Sequence, residues 1–315
     1  MQEDLIEKVA EELHLKAKQV RSVADLFGEG ATVPFIARYR KEATGSLDEV
    51  AITGIRDRLA QLEELERRRE AILKSLEERE LLTDELQAKV RAAETLSTLE
   101  DVYLPFRPKR RTRGTMAREK GLEPLAERLR SQEEFDPEEE ARGFVDSEKG
   151  VNSVEEALAG ARDIVAEWAN EDAGARARLR ELFEKSGQLN SRVLEGKEEE
   201  GQKYRDYFDW QEPIASAPSH RILAIRRGEK EKVLLFRIQP PEEEALKILE
   251  NTFLKARNRA AEQVELALKD AYKRLLCPSL ETEIRLLAKT RADTEAIRVF
   301  ADNLRQLLLD PPLGR

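Results

Sequence analysis

The stretch TVPFIARYRKEATGSLDE, residues 32–49, changes from apolar to basic to acidic within a chain that is otherwise rich in helix-forming residues. Thr32 is placed to cap a helix whose first turn contains Pro34, a position where the missing amide hydrogen of proline costs little. Gly45 is expected to form a tight turn after the basic residues at 38, 40 and 41, because glycine readily adopts the left-handed conformation that ends helices. The stretch therefore predicts a short helix followed by a sharp corner.

The other side chains of this corner have predicted roles as well. Phe35 and Tyr39, together with Ile36, are expected to point into the core. Ser46 and Glu49 have the spacing of a capping box, which predicts that the next helix begins here. We interpret the stretch as a helix-turn-helix element, which can place a helix in the major groove of DNA but more often serves as a packing corner.

Outside this stretch the composition predicts a mainly α protein. The chain has 315 residues, of which 38% are charged and 5% are aromatic, and this mixture favours helices. Hydrophobic residues reach 40%, which is enough for packed cores and excludes a disordered chain. We expect an elongated multi-helix fold with the helix-turn-helix-like element, one long helix and one small β-hairpin.

The charge balance limits the classes of function. The net charge of −9 excludes a uniformly basic nucleic-acid binder, but it leaves room for a local basic patch. The single cysteine, Cys277, cannot form an internal disulfide. The charged, amphipathic N-terminus does not resemble a signal peptide, and no apolar run approaches the roughly 20 residues that span a bilayer. These features predict a cytoplasmic protein with no membrane contact.

The longest predicted helix follows the corner. Apolar residues recur there with 3,4 spacing over about 30 residues, and Glu66 and Arg69 interrupt the apolar face. Further along, RILAI (221–225) and KVLLFRI (232–238) are rich in β-forming residues and flank a glycine, so they predict a β-hairpin near 221–238.

These elements suggest how the domains are arranged. Because the long helix carries the chain away from its start, we expect residues 1–60 and 245–315 to form one discontinuous helical domain of the helix-turn-helix type. Residues 61–244 would then form a central helical lobe that includes the hairpin.

The segment 107–118 is the best candidate for a binding site, because it holds six basic residues and no acidic one. Phosphate contact through Lys109, Arg110, Arg111 and Arg113 is one interpretation. The other, which we favour, is that the loop pairs with acidic helices of the same protein, and the acidic run 133–140 is an available partner. A weaker candidate is the pair Arg226 and Arg227, where glutamates are interleaved.

Residues typical of catalysis are sparse. His14 and His220 do not have metal-ligand spacing, and Cys277 has no evident basic partner to activate it. Neither a glycine-rich phosphate loop nor a GxSxG motif is present. We therefore expect no enzyme activity, no cofactor and no bound metal.

Four separated segments resemble the N-terminal region of the Tex family, bacterial transcription accessory proteins related to a eukaryotic transcription elongation factor. The resemblance covers the chain from end to end. The segments are TVPFIARYRKEATGSLDE (32–49), LPFRPKRRTRGTMAREKGLEPLA (104–126), SHRILAIRRGE (219–229) and FADNLRQLLLDPPLG (300–314).

The resemblance implies that the chain corresponds to about the first two-fifths of a longer protein. The RNase-H-like domain, the helix-hairpin-helix elements and the RNA-binding barrel of the family are absent from it. It implies a non-catalytic scaffold or interaction region of a transcription accessory protein, whose RNA or DNA contacts lie mainly in those domains and whose partners include the transcription or translation machinery. The alternative is a module that binds DNA or RNA directly through the 109–113 loop.

Overall fold

The computed structural model describes residues 2–108 and 111–309. The chain divides into two compact units, Met1–Arg107 and Pro108–Arg315. Each unit has its own apolar core. The predicted discontinuous domain of 1–60 plus 245–315 stays a prediction.

The N-terminal unit is built from helices alone over its described residues. It contains α1 (Gln2–Glu12), α2 (Ala17–Gly28), α3 (Val33–Tyr39), α4 (Lys41–Thr44), α5 (Glu49–Glu77), α6 (Asp84–Ala92) and α7 (Leu96–Tyr103).

Helix α5 is the predicted long helix, and it serves two cores. Its first half packs Ile52 and Leu62 with α1, α2 and α3. Its second half packs Ile72 and Leu76 with α6 and α7. Arg69, predicted to interrupt the apolar face, bridges to α6 by donating to the carbonyl oxygen of Val90 over 3.2 Å.

The corner forms as predicted in its backbone. Pro34 lies in the first turn of α3, and Thr32 is its N-cap residue, although the Thr32 side chain accepts no capping hydrogen bond. Gly45 adopts the left-handed conformation with φ of 67°. The predicted helix-turn-helix element is therefore a short helix, a single turn of helix (α4), a left-handed glycine and then α5.

Three side-chain predictions at the corner were wrong. Phe35 is 39% exposed and Tyr39 is 68% exposed, because α3 is only two turns long and turns its Ile36–Ala37 face to the core. Ser46 and Glu49 form no capping box. Ser46 lies in the left-handed region, and the N-cap of α5 is Asp48, whose carboxylate accepts from the amide of Ala51 over 2.7 Å.

The second unit mixes helices with one small sheet. Its elements are α8 (Arg113–Glu119), α9 (Glu123–Ser131), α10 (Pro137–Arg142), α11 (Val154–Glu171), α12 (Ala173–Ser186), β1 (Gln188–Val193), a 3₁₀ helix (Gln202–Tyr207), β2 (Asp209–Pro213), α13 (Ser219–Lys230), β3 (Leu234–Gln239), α14 (Glu242–Phe253), α15 (Arg259–Ala271), a π-helical turn (Tyr272–Leu276) and α16 (Cys277–Leu309).

The prediction of a β-hairpin near 221–238 was wrong. Its second half is β3, but its first half lies in α13, where Ile222, Ile225 and Gly228 are buried at helical spacing. The strand β3 pairs instead with β1, and the antiparallel sheet has the order β2-β1-β3. Alternating burial makes β3 a strand with one face on the core, whereas the apolar residues of 221–225 recur on a helical face.

Helix α11 lies at the centre of the second unit. It contacts α8, α9, α10 and α15, and its residues Ala161, Ile164 and Val165 are buried. The small alanines at such positions let neighbouring helices approach closely. The fold is mainly α with one small β element, as the sequence predicts.

Candidate nucleic-acid interface

The candidate binding site at residues 107–118, here called the basic segment, lies only partly within the residues that the structure describes. Lys109 and Arg110 lie outside the described residues. Arg111 is exposed and forms an ion pair with Glu119, with 2.7 Å between Nη2 and Oε2. Because both side chains are exposed, this pair contributes at most about 1 kcal/mol.

Arg113 belongs to a helix rather than to a loop. It is the first residue of α8, whose N-cap is Thr112, and the Thr112 hydroxyl accepts from the amide of Thr115 over 3.0 Å. Arg113 remains exposed but lies close enough to the carboxylate of Asp163 to favour its ionised form. Of the described part of the predicted site, Arg113 therefore faces a carboxylate of α11, whereas Arg111 pairs with Glu119 of α8.

Two carboxylates of α11, the buried Glu167 and the half-buried Asp163, form a network under this segment. Glu167 is 5% exposed and accepts from Arg118 Nη1 over 2.7 Å. Asp163 accepts from Arg274 over 3.0 Å, but burial is the larger influence and raises the pKa of the Asp163 carboxyl. Gly114 makes room for this network, because a Cβ there would lie 2.4 Å from the carboxyl carbon of Glu167.

The acidic run 133–140 has other partners. Asp136 and Glu138 both pair with Arg259 at the start of α15, and Glu133 pairs with Arg128 of α9. Among the described residues, the structure thus ties the basic segment to acidic residues of α8, α9 and α11. The predicted pairing with the protein's own carboxylates occurs for Arg111. A pairing of Lys109 or Arg110 with the run 133–140 lies outside the described residues and stays a prediction.

Arg226 and Arg227 lie on α13, not in a hairpin turn. The guanidinium of Arg226 donates to the carbonyl oxygen of Arg285 on α16 over 3.2 Å, so Arg226 joins two helices. Arg227 is exposed. Arg226 belongs to the α13–α16 contact, whereas Arg113 belongs to the α8–α11 contact, so the two candidate groups lie at different helix pairs.

The remaining candidate residues show no shared arrangement. Within 2–108 and 111–309, no group of three or more histidine, cysteine or acidic side chains is placed to hold a metal ion. Cys277 is buried at the junction of the π-helical turn and α16, and burial raises the pKa of its thiol. A buried thiol of this kind is poorly reactive.

Sequence patterns did not reveal two features. The acids of α11 in this network, Asp163 and Glu167, have i,i+4 spacing, which places them on one face, but acidic residues are too common here for that spacing to stand out. The outward-facing rings of Phe35 and Tyr39 were predicted to be core residues. A signal for their exposure was available, since basic residues occur beside them at 38, 40 and 41.

Comparison with known proteins identifies the class of protein to which this architecture belongs. The family model described as "Tex-like protein N-terminal domain" matches residues 3–77, and the one described as "Tex central region-like" matches residues 132–300. The chain belongs to the Tex family.

The relatives include bacterial and animal proteins. The chain is 43% identical to Protein YhgF of Escherichia coli over 97% of the chain and 41% of the relative. It is 41% identical to the transcriptional accessory protein Tex of Neisseria gonorrhoeae over 98% of the chain and 41% of the relative. The human S1 RNA-binding domain-containing protein 1 is 26% identical over 98% of the chain and 32% of the relative.

The chain thus spans about two-fifths of the length of the bacterial relatives it matches. Among the helices that the structure describes, none is both long and apolar enough to cross a membrane.

Proposed function

We propose that this chain is a non-catalytic scaffold and interaction region of a transcription accessory protein. In this proposal, the main contacts with RNA or DNA are made by other parts of the full protein, which acts in the cytoplasm beside the transcription or translation machinery. Names of the relatives support the association with transcription and with RNA.

One observation carries the scaffold role. Of the four described arginines of the basic segment, Arg111, Arg113 and Arg118 have carboxylates of the protein itself as neighbours, whereas Arg107 is exposed. A phosphate would have to compete with those carboxylates, and Glu167 in particular is held by a buried contact. The segment is therefore better suited to holding α8 against α11 than to capturing nucleic acid.

The test replaces the four basic residues of the predicted site with alanine in the full-length protein. Lys109, Arg110, Arg111 and Arg113 are changed together, and affinity for single-stranded RNA and duplex DNA is measured over a salt series. We expect a small change in affinity and a modest loss of stability, since exposed pairs are worth about 0–1 kcal/mol each.

A matched control removes four exposed lysines that also pair with carboxylates, namely Lys149, Lys185, Lys197 and Lys269. Direct phosphate contact by the loop would instead lower affinity for all nucleic-acid sequences alike, because backbone contacts carry no base information. It would also reduce the slope of log affinity against log salt by roughly 0.7 to 0.9 per contact. That result, absent from the control, would contradict the scaffold proposal.

A further inference from the structure

The outward side of α3 carries two aromatic rings that the N-terminal unit does not use for its core. Phe35 is 39% exposed and Tyr39 is 68% exposed. Their ring centres are 5.4 Å apart with an interplanar angle of 44°. Exposed aromatic rings one helical turn apart offer adjacent π-faces to a ligand.

Three cationic residues lie close to these rings in the sequence, and one of them contacts a ring. The guanidinium carbon of Arg40 lies 5.1 Å from the centre of the Phe35 ring, within the range of a cation–π contact. Arg38 is exposed and makes one loose ion pair, with 3.8 Å between its Nη2 and Glu49 Oε1. For Arg40 and Lys41, no described carboxylate lies within ion-pair distance. This charge complements a polyanion.

The surface is also held in place from below. Ile36 and Ala37, between the two rings in sequence, are buried in the core. Two features fix the turn after α4. Gly45 adopts the left-handed conformation, and the side-chain nitrogen of Gln19 donates to the carbonyl oxygen of Thr44 over 2.9 Å. A surface mounted in this way loses little conformational entropy when a ligand binds.

We propose that Phe35, Arg38, Tyr39, Arg40 and Lys41, here called the corner patch, bind single-stranded nucleic acid. Bases stack on Phe35 and Tyr39, and the three cations contact phosphates. Stacking platforms flanked by basic side chains are how proteins hold single strands without reading their sequence. The inference deepens the proposed function and rests on it, because it gives this region a subsidiary nucleic-acid contact of its own.

The combination of rings and cations favours nucleic acid over an acidic peptide. A peptide could satisfy the cations, but it would leave the largely exposed Tyr39 ring in water. A duplex keeps its bases stacked on one another, so the rings would find no free base face. Only a single strand offers anionic groups and open π-faces in the same ligand.

The test uses the 315-residue chain and fluorescein-labelled oligo(dT) and oligo(rU) of about 16 nucleotides, the upper site size of one single-strand-binding module. Binding is followed by fluorescence anisotropy over a salt series. Replacing Phe35→Leu and Tyr39→Leu together keeps apolar side chains but removes the rings. We expect affinity to fall about tenfold or more, since stacking of each base on an aromatic ring contributes that much.

Two further variants separate stacking from charge. The triple variant Arg38→Gln, Arg40→Gln and Lys41→Gln should reduce the salt slope by about 2, at roughly 0.7 for each lost phosphate contact on a single strand. The control Phe300→Leu removes another ring that is 68% exposed, the same fraction as Tyr39, and should leave affinity unchanged.

Several outcomes would overturn the proposal. They are the absence of binding to either oligonucleotide, unchanged affinity in the double leucine variant, and an equal loss in the Phe300→Leu control. Displacement of the oligonucleotide by poly-glutamate as effectively as by unlabelled oligonucleotide would indicate a general anion surface. Melting temperatures check that each variant folds, and Tyr39→Leu alone serves if the double variant does not. None of these results bears on the test of the scaffold role in the full-length protein.

Discussion

At the scale of single residues, Gly45 is a position where both the backbone conformation and a neighbouring side chain disfavour an added Cβ. Its φ of 67° disfavours any residue with a Cβ, and a Cβ there would lie 2.8 Å from the side-chain nitrogen of Gln19. That nitrogen donates the hydrogen bond that holds Thr44. The backbone conformation and the neighbouring contact therefore both select glycine.

We expect Gly45→Ala to lower the free energy of unfolding by about 1 kcal/mol or more, because left-handed backbone is costly for residues with a Cβ. Urea denaturation measures the change. Gly28→Ala is the matched control, since Gly28 ends α2 with a negative φ and nothing within 4 Å of an added Cβ. Equal stabilities of the two variants would show that the corner does not depend on glycine.

Residue by residue, the sequence was informative where backbone chemistry decides and misleading where packing decides. Pro34 and Gly45 were placed correctly because proline has a fixed φ that suits the first turn of a helix, and glycine adopts left-handed backbone at little cost. Phe35 and Tyr39 were misplaced because hydrophobicity alone does not say which face of a short helix meets the core. Asp48 and Ser46 both suit an N-cap by type, and only the geometry of the left-handed turn selects Asp48.

At the scale of elements, the connection between α14 and α15 depends on one buried side chain, that of Gln132 just after the end of α9. Gln132 is 4% exposed and follows α9 in the left-handed conformation. Its side-chain oxygen accepts from the amides of Lys255 and Ala256, and its side-chain nitrogen donates to the carbonyl oxygen of Phe253 over 2.8 Å. Gln132 thus satisfies backbone groups that a turn between two helices leaves unpaired.

We expect Gln132→Ala to lower the free energy of unfolding by about 1–3 kcal/mol, because it leaves two partly buried backbone donors and one acceptor without their protein partner. Hydrogen exchange of the Lys255 and Ala256 amides should accelerate. Gln132→Gly is the companion variant: it loses the same hydrogen bonds but tolerates the left-handed backbone, so it should be less destabilising than alanine. Unchanged exchange at both amides would contradict the assigned role of the side chain.

Element types were more predictable than element partners. The helices α5 and α11 were recognisable from apolar periodicity over many turns. The short segment 221–225 was not, since a brief apolar run with β-branched residues suits either a strand or a buried helix. β1 and β2 escaped notice because half of each strand is polar and their pairing is set by tertiary contact with β3 and the 3₁₀ helix.

At the scale of the whole molecule, the second unit has a core drawn entirely from its own residues. The buried cluster begins at Ala117 and ends at Ala292, and it joins α11 and α15 to the sheet. A unit of this size buries enough apolar surface to fold alone. The site followed the same rule as the fold, since the ion pair that joins the basic segment to α11 connects Arg118 with Glu167, which are distant in sequence, and no local pattern reveals it.

We expect a fragment of residues 108–315 to be helical by circular dichroism and to unfold in one cooperative transition. The control fragment 108–240 lacks α14, α15 and α16, and with them Val264, Leu268 and Leu280 of the core, so it should not fold. Thermal melts with near-ultraviolet detection distinguish the two. A non-cooperative melt of the longer fragment would show that its core is incomplete.

The number of residues in α5 fixes the direction in which its later side chains point. Leu62 is the last residue of one core cluster of the N-terminal unit, and Leu65 is the first residue of the other. Both lie on α5, an uninterrupted helix of 29 residues that is about 43 Å long. One residue inserted between them would turn everything downstream by about 100° and point Ile72 and Leu76 away from α6 and α7. Seven inserted residues would restore the angle to within about 20°. In this part of the molecule, the number of residues is thus as constrained as their identity.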